Sequence, residues 1–448
     1  MKGKKVNVEE LLAKAKQPAL DAIRLHSFYK GKLAVTPKCR IRDFDDFAIW
    51  YTPGVAEPCK EIHKNFDKVF EYTNKGNFVA VVTDGSRVLG LGDIGPHASL
   101  PVMEGKGILF KYLGGVDAFP IALNCTDEKD IIQACKWIEP AFGGINLEDI
   151  AKPKCYRILE TLRKEMTIPV WHDDQQGTAA ITYAGLINAI KVVGKKRTDV
   201  TVALIGSGAA NVAISRVMRI GGFPAENMLM VDTKGILYKG RSDLKPFEDE
   251  EKIKLSEITN KGMRKGGIAE ALKGADVCLA LSKPGPGTIK PEWIAGMAKD
   301  SIVFVCANPI PEIWPWEAEE AGARIVATGL SDFPNQVNNS LGFPGIFRGA
   351  LDVSAKTITD EMCIAAAEEL AKCAEDKGLR DDYIIPRMSE WEVYPREAMA
   401  VGMKAIEQGV ARVKMTKEQL FDKAAKTIKQ AREETEALMA KGLIAPSD

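Results

Sequence analysis

Apolar positions along the chain follow two rhythms. Val8 to His26 repeats apolar residues at helical spacing. Short continuous apolar runs come next, each closed by a turn. VAVVTDG, AFPIAL, INLEDI and IPV predict strands, and GILFKYLGG is a further strand candidate in the glycine-dense stretch between Gly76 and Gly115. DEKDIIQACKWIEPAF predicts a helix, because Ile131, Ile132, Cys135 and Ile138 share a face, and PKCYRILETLRKEM predicts another. From Gly177 the alternation is regular. TAAITYAGLINAIKVV is a helix, TVALIG a strand, AANVAISRVMRIG a helix and MLMVD a strand; ADVCLAL, IVFVCAN and ARIVATG are strands, with PEWIAGMA a helix between the first two. From about Phe347 the chain reads as helical. It ends in the charged amphipathic segment KEQLFDKAAKTIKQAREETEALMAKGL, whose apolar stripe packs on its own or a neighbouring subunit.

Helix and strand in turn, with short loops, predict parallel sheets covered on both faces. The fold class is α/β, divided into an N-terminal α/β domain over 1–165, a Rossmann-type doubly wound parallel-sheet domain over 166–350, and a helical C-terminal segment over 351–448. Composition supports this: 46% apolar and 27% charged residues in a 448-residue chain describe a soluble globular protein with a large core. Lys+Arg and Asp+Glu both count 61, so no net charge favours nucleic acid or an acidic membrane. No apolar stretch suits a bilayer, and MKGKKVNVEELLAKAKQPAL has no apolar core of a leader. Cys39, Cys59, Cys125, Cys135, Cys155, Cys278, Cys306, Cys363 and Cys373 form no C-x-x-C pair. They read as free thiols of a reducing, cytoplasmic location. Four histidines argue against a thiolate–imidazole zinc site.

TVALIGSGAANVAISRVM sets Gly206 and Gly208 between a strand and a helix. The first glycine allows a tight turn. The second lets backbone approach a pyrophosphate at the positive helix end. The position usually held by Gly or Ala is Asn211, which predicts a helix held slightly away from its strand. MLMVD ends in Asp232, where an acid accepts bonds from adenosine ribose hydroxyls. Asp232 leans towards NAD, while Lys234 offers a contact to the 2′-phosphate of NADP.

Glu148-Asp149 and Asp173-Asp174 each follow a short apolar stretch. Two readings are open: they cap helices, or they hold a cation, for which all-oxygen ligands suit Mg²⁺ or Mn²⁺. Arg87 lies among the glycines of VVTDGSRVLGLGDIG, and Lys106 lies in VMEGKGILF. Like-charge repulsion and desolvation favour the amine form of such a lysine and make it a base; the alternative is a surface lysine. Tyr51, ahead of a Thr-Pro-Gly turn, is either a general acid or an amphipathic core tyrosine. GFPG, Gly342 to Gly345, reads as a hinge or a rigid turn.

YTPGVA, VVTDGSRVLGLGDIG, EGKGILFK, INLED, HDDQQGTAA, IGSGAAN, CANPIPEI and NQVNNSLGFPGIFRGAL together resemble the malic enzyme family in its short prokaryotic-type form. The resemblance runs from residue 51 to 351. It implies oxidative decarboxylation of L-malate to pyruvate and CO₂ with NAD or NADP and Mg²⁺ or Mn²⁺. It implies that the first domain holds substrate and metal, with Glu148, Asp149 and Asp174 as metal ligands. Lys106 would be the general base, Asp173 its orienting neighbour and Tyr51 the general acid. Arg87, Asn308 and Asn339 would hold substrate. Gly206, Ser207, Gly208, Ala209, Ala210, Asn211, Asp232, Thr178, Asn308 and Asn338 would hold the cofactor. A homodimer or higher homo-oligomer is also implied. The alternatives are a malolactic-type enzyme that keeps NAD bound, and a non-catalytic nucleotide-binding paralogue.

Overall fold

The computed structural model describes residues 8–447, with side chains described from residue 17. The first seven residues, part of the segment read as lacking a leader, lie outside the described residues. Among the described residues ten strands form two sheets. The first contains β1 (Phe78–Thr83), β2 (Asp117–Ala122), β3 (Gly144–Leu147) and β4 (Val170–His172), in the order β2-β1-β3-β4 and parallel throughout. The second contains β5 (Val202–Ile205), β6 (Met228–Asp232), β7 (Gly235–Ile236), β8 (Val277–Ala280), β9 (Ile302–Val305) and β10 (Ile325–Thr328), in the order β10-β9-β8-β5-β6-β7. Only β7 is antiparallel, as a short hairpin on β6.

Continuous apolar runs form these strands because both sheet faces are covered. Successive residues of one strand enter different cores. Val202 and Leu204 join a cluster with Leu186, Ile214 and Phe304, whereas Ala203 and Ile205 join one with Leu272, Val303 and Ile313. The first sheet behaves likewise, with Val79 and Val81 on one side and Ala80 and Val82 on the other. The expected α/β class with a doubly wound second sheet is thus observed.

Several expectations need correction. GILFKYLGG is not a strand. It lies in the helix Gly95–Gly114, where Met103, Lys106, Phe110 and Leu113 recur at helical spacing and are buried. Small residues on this helix permit close packing: a Cβ on Gly107 would lie 2.6 Å from Leu33 Cδ1, and one on Gly114 the same distance from the Pro344 carbonyl oxygen. The first sheet extends past residue 165, because β4 pairs with β3. The C-terminal segment packs back on the core: the helices Phe343–Asp352 and Lys417–Ala440 both lie on Gly95–Gly114. GFPG opens the first of these, and its four residues are buried. It is a packed helix start: a Cβ on Gly345 would meet Glu397 Oε2 at 2.0 Å.

Candidate active site

In an open parallel sheet, ligands bind beyond the carboxyl ends of the strands. Three adjacent strands deliver the acidic residues there. β1 runs into Asp84 and Arg87, β3 into Glu148 and Asp149, and β4 into Asp173 and Asp174. Lys106 reaches them from the helix Gly95–Gly114. Its Nζ lies 2.6 Å from Asp173 Oδ2 and 3.1 Å from Glu148 Oε1, and it stands 4.4 Å from the Phe343 ring centre. Asp173 is fully buried and also accepts from Asn339 Nδ2 at 2.5 Å and Trp171 Nε1 at 3.2 Å. Asp173 to Gly177 form a π-helical turn. Gly177 is required there, because a Cβ would sit 2.1 Å from Asp173 Oδ1. Lys106, Asp173 and Glu148, named from the sequence, therefore form one buried cluster, with Asn339 half-buried at its edge.

Glu148, Asp149 and Asp174 each offer an oxygen, all within 4.8 Å of one another, the one such cluster among the described residues. The Asp149 amide donates to Asp174 Oδ2 at 3.1 Å, and Asp149 Oδ2 is buried without a hydrogen-bond partner. Glu148 accepts from Asn146 Nδ2 at 2.7 Å. Burial, countered only in part by Lys106, lifts the Glu148 carboxyl well above its ordinary value. Burial and then the Asp174 carboxylate push Asp149 up to about 7. Three crowded carboxylates with an orphaned buried oxygen fit a hard divalent cation, and this donor set favours Mg²⁺ or Mn²⁺ over zinc.

The electrostatics of Lys106 differ from expectation. Burial alone lowers its pKa, but the Asp173 and Glu148 carboxylates outweigh burial and hold the ammonium above its ordinary value. Its neighbours are anions, so like-charge repulsion does not act here.

Arg87 is exposed on the loop after β1; its amide donates to the Asp149 carbonyl at 3.0 Å, and its guanidinium to Leu89 O at 2.9 Å. Asn308 is exposed on the loop after β9, and its carbonyl lies 3.5 Å from the position of a Cβ on Gly90 in the GLGDIG loop. Loops of the two sheets therefore meet. Asn338 is half-buried and caps the turn before Phe343, accepting from Ser340 N at 3.0 Å. Thr178 starts the helix Thr178–Val192 directly after the π-turn. Tyr51 stands apart: it is 71% exposed, and no hydrogen bond joins its hydroxyl to another predicted site residue among the described residues. It is not a core tyrosine of this chain.

The glycine loop after β5 has the nucleotide-binding form. Gly206 has φ 100°, and a Cβ would lie 2.6 Å from the Leu281 carbonyl oxygen. Nothing lies within 4 Å of a Cβ on Gly208, so space is open in front of Ser207, Ala209 and Ala210. The helix Ala209–Ile220 has no side-chain cap, which leaves its first N–H groups free for a pyrophosphate. Asn211 does not hold helix and strand apart. It is fully buried, and its Nδ2 donates to Ile205 O at 2.9 Å and Gly206 O at 2.8 Å, lacing them together. Asp232 ends β6 as expected but is not free: it is bound by Arg241 at 2.6 Å.

Supporting residues escape sequence reading. Asn146, Trp171 and Phe343 touch site side chains from apolar-looking runs. Glu312, fully buried, accepts from Ser282 N at 2.8 Å and Ala307 N at 3.2 Å and so ties the ends of β8 and β9. Its only signal is a lone acid in CANPIPEI.

A Rossmann-type sheet facing a buried lysine–carboxylate cluster across the strand ends defines a two-domain α/β oxidoreductase that uses a nicotinamide dinucleotide. The sequence profile of the malic enzyme N-terminal domain matches residues 30–133, and that of the malic enzyme NAD binding domain matches residues 175–409. The chain is 49% identical over 406 residues to the bifunctional malic/malolactic enzyme of Bacillus subtilis, covering 91% of this chain and 97% of that one. It is 47% identical over 382 residues to the NAD-dependent malic enzyme of Geobacillus stearothermophilus, covering 85% and 78%. The crystal structure of Entamoeba histolytica malic enzyme superposes with a TM-score of 0.95 at 47% identity, covering 99% and 93%. The chain belongs to the malic enzyme family. No helix among the described residues is long and apolar enough to cross a membrane.

Proposed function

We propose that this chain oxidises L-malate and decarboxylates it to pyruvate and CO₂, with NAD(P) as hydride acceptor. The observation that carries this is the Lys106–Asp173–Glu148 cluster beside the three-carboxylate cage. When bound, the divalent ion withdraws electrons from the hydroxyl-bearing carbon and its carbonyl successor, and the nicotinamide accepts the hydride. Glu148, Asp149 and Asp174 hold the ion. Lys106 takes the C2 hydroxyl proton as its carboxylate partners are neutralised, and Asp173, itself fixed by Trp171 and Asn339, aims the amine. Arg87 grips a malate carboxylate, and Asn308 and Asn339 hydrogen-bond the substrate. Tyr51 returns a proton to C3 of the enol. Thr178 and Asn338 flank the cofactor beside the glycine loop. Nine cysteines, all free, suit a reducing cytoplasm.

Tyr51 reaches this chemistry in a homodimer. Phe44, Phe47, Ile49 and Trp50 are also exposed, at 90%, 45%, 56% and 48%, and the helices Phe47–Trp50 and Ala56–Lys64 bury no residue. Such an apolar face calls for cover. A second copy supplies it and receives Tyr51 beside its own Lys106. Malate, NAD(P) and Mn²⁺ should yield reduced cofactor, and EDTA should abolish it. Lactate without net reduced cofactor would support the malolactic reading, an activity that the bifunctional name of the B. subtilis relative also includes. Tyr51→Phe and Lys106→Ala proteins should each be inactive, and mixed dimers should recover roughly a quarter of wild-type activity, since heterodimers form half the population with one intact site each. Formation of mixed dimers without recovery would place Tyr51 in its own subunit's site, and an active Tyr51→Phe would remove it from the mechanism.

A further inference from the structure

The rim of the nucleotide site carries one cation, Lys152, that pairs with no carboxylate among the described residues, beside an acid that is already engaged. In this fold the acid ending the strand beside the glycine loop faces the adenosine ribose. Asp232 holds that position, but both its oxygens are engaged. Oδ1 accepts from the Lys234 amide at 2.9 Å; Oδ2 is 2.6 Å from Arg241 and 3.4 Å from Lys252. Its side chain is only 4% exposed. An acid serving ribose hydroxyls needs an accessible acceptor, and this one is turned inward as the counter-ion of a buried arginine.

The surrounding charges are matched save one. Asp243 takes Arg241 at 2.7 Å and Lys234 at 3.3 Å, and Asp249 takes Lys252 at 2.5 Å. Asp232, Asp243 and Asp249 thus face Arg241, Lys234 and Lys252. Lys152 is the surplus cation. It comes from the loop after β3, across the crevice, and its Nζ donates to the Ser207 carbonyl of the glycine loop at 3.3 Å. No carboxylate forms an ion pair with it among the described residues. Lys152 is solvent-exposed at the crevice rim; partial desolvation of its ammonium and then the neighbouring Lys252 hold it below its ordinary value.

We propose that Lys152 and Lys252 flank the adenosine 2′-phosphate of NADP, and that the chain therefore prefers NADP to NAD. This rests on the nucleotide-binding reading of the second sheet. A 2′-phosphate brings about −1.5 to −2 charges by analogy with other phosphomonoesters; the 2′-hydroxyl of NAD brings none to this end of the site. Lys152 also belongs to the metal-bearing sheet, so the phosphate would tie the two sheets together at the crevice rim.

The test is calorimetric titration of the full-chain protein with 2′,5′-ADP and with 5′-AMP, which need neither metal nor turnover. Wild type should bind 2′,5′-ADP at least about tenfold tighter. Lys152→Ala and Lys252→Ala should each weaken 2′,5′-ADP roughly ten- to a hundredfold, the range for one charge-assisted hydrogen bond, and leave 5′-AMP within about twofold. Lys152→Arg should keep the preference. Equal affinity of wild type for both ligands overturns the proposal alone. So does equal weakening of both ligands in Lys152→Ala, which assigns Lys152 to the shared part of the nucleotide. Binding of neither ligand overturns it together with the nucleotide-binding reading.

Discussion

Replacing Asp149 by Asn tests the carboxylate cage without measuring turnover. Asp149 has φ 54°, a left-handed conformation that Asn and Asp both tolerate, so the substitution removes charge with little backbone strain. In the metal-free protein, burial and the Asp174 carboxylate raise the Asp149 carboxyl from 3.8 to about 7. A carboxyl with a raised folded value binds its proton more tightly folded than unfolded. Its contribution to stability is therefore full below 3.8 and is lost as pH rises to about 7. At about 1.4 kcal/mol per pH unit, the loss is on the order of 4 kcal/mol. Asn pays no such penalty at any pH. For a chain of 448 residues, with unfolding entropy of about 2.1 cal/mol/K per residue, that corresponds to about 4 °C in Tm for one cooperative transition. Thermal unfolding of both proteins in EDTA should give similar Tm values at the acidic end of the window. Above pH 7 the Asn variant should be the more stable, because acid effects common to both cancel in the difference. Excess Mn²⁺ should reverse the order, since a ligand that binds the folded state stabilises it and the variant lacks one donor. A Tm difference constant with pH, or equal stabilisation of both proteins by Mn²⁺, would refute this account of the cage.

Gly177→Ala should lower kcat roughly a hundredfold or more, the scale of a misplaced acid–base group, because the new Cβ falls 2.1 Å from Asp173 Oδ1; steady-state kinetics with wild-type kcat would show that Asp173 does not aim Lys106. Asn211→Ala should cost on the order of 2 kcal/mol in denaturant unfolding, since it removes two buried hydrogen bonds, to the Gly206 carbonyl and to the Ile205 carbonyl that Leu281 N also serves. An unchanged midpoint would mean that backbone alone holds the glycine loop.

Where a residue's surroundings are local, its position is legible from the chain. The run TVALIG closed by Gly206 and Gly208 made a strand and turn whose neighbours hardly mattered, and the acids after β3 and β4 announced themselves by ending apolar runs. Lys106 was legible as a candidate, but its charge state was not. Spacing cannot say that Asp173, from a distant strand end, lies 2.6 Å away. GILFKYLGG misled because a helix buried on several sides loses its polar stripe and resembles a strand over a few residues. Asn211 departs from the usual small residue and reads as an obstruction, whereas its amide bonds the loop. Asp232 showed its position but not its partner, since Arg241 arrives from a loop with no periodicity. Trp171 and Phe343 gave no signal beyond being apolar.

The largest apolar cluster runs from Val79 in the first sheet, through Leu204 and Phe304 in the second, to Ile428 in the last helix. Its middle is the helix Thr178–Val192, in which 11 of 15 residues are buried. A chain built this way does not offer its dinucleotide half as a detachable cassette: cutting at either end of that helix would open an oily wound on both fragments.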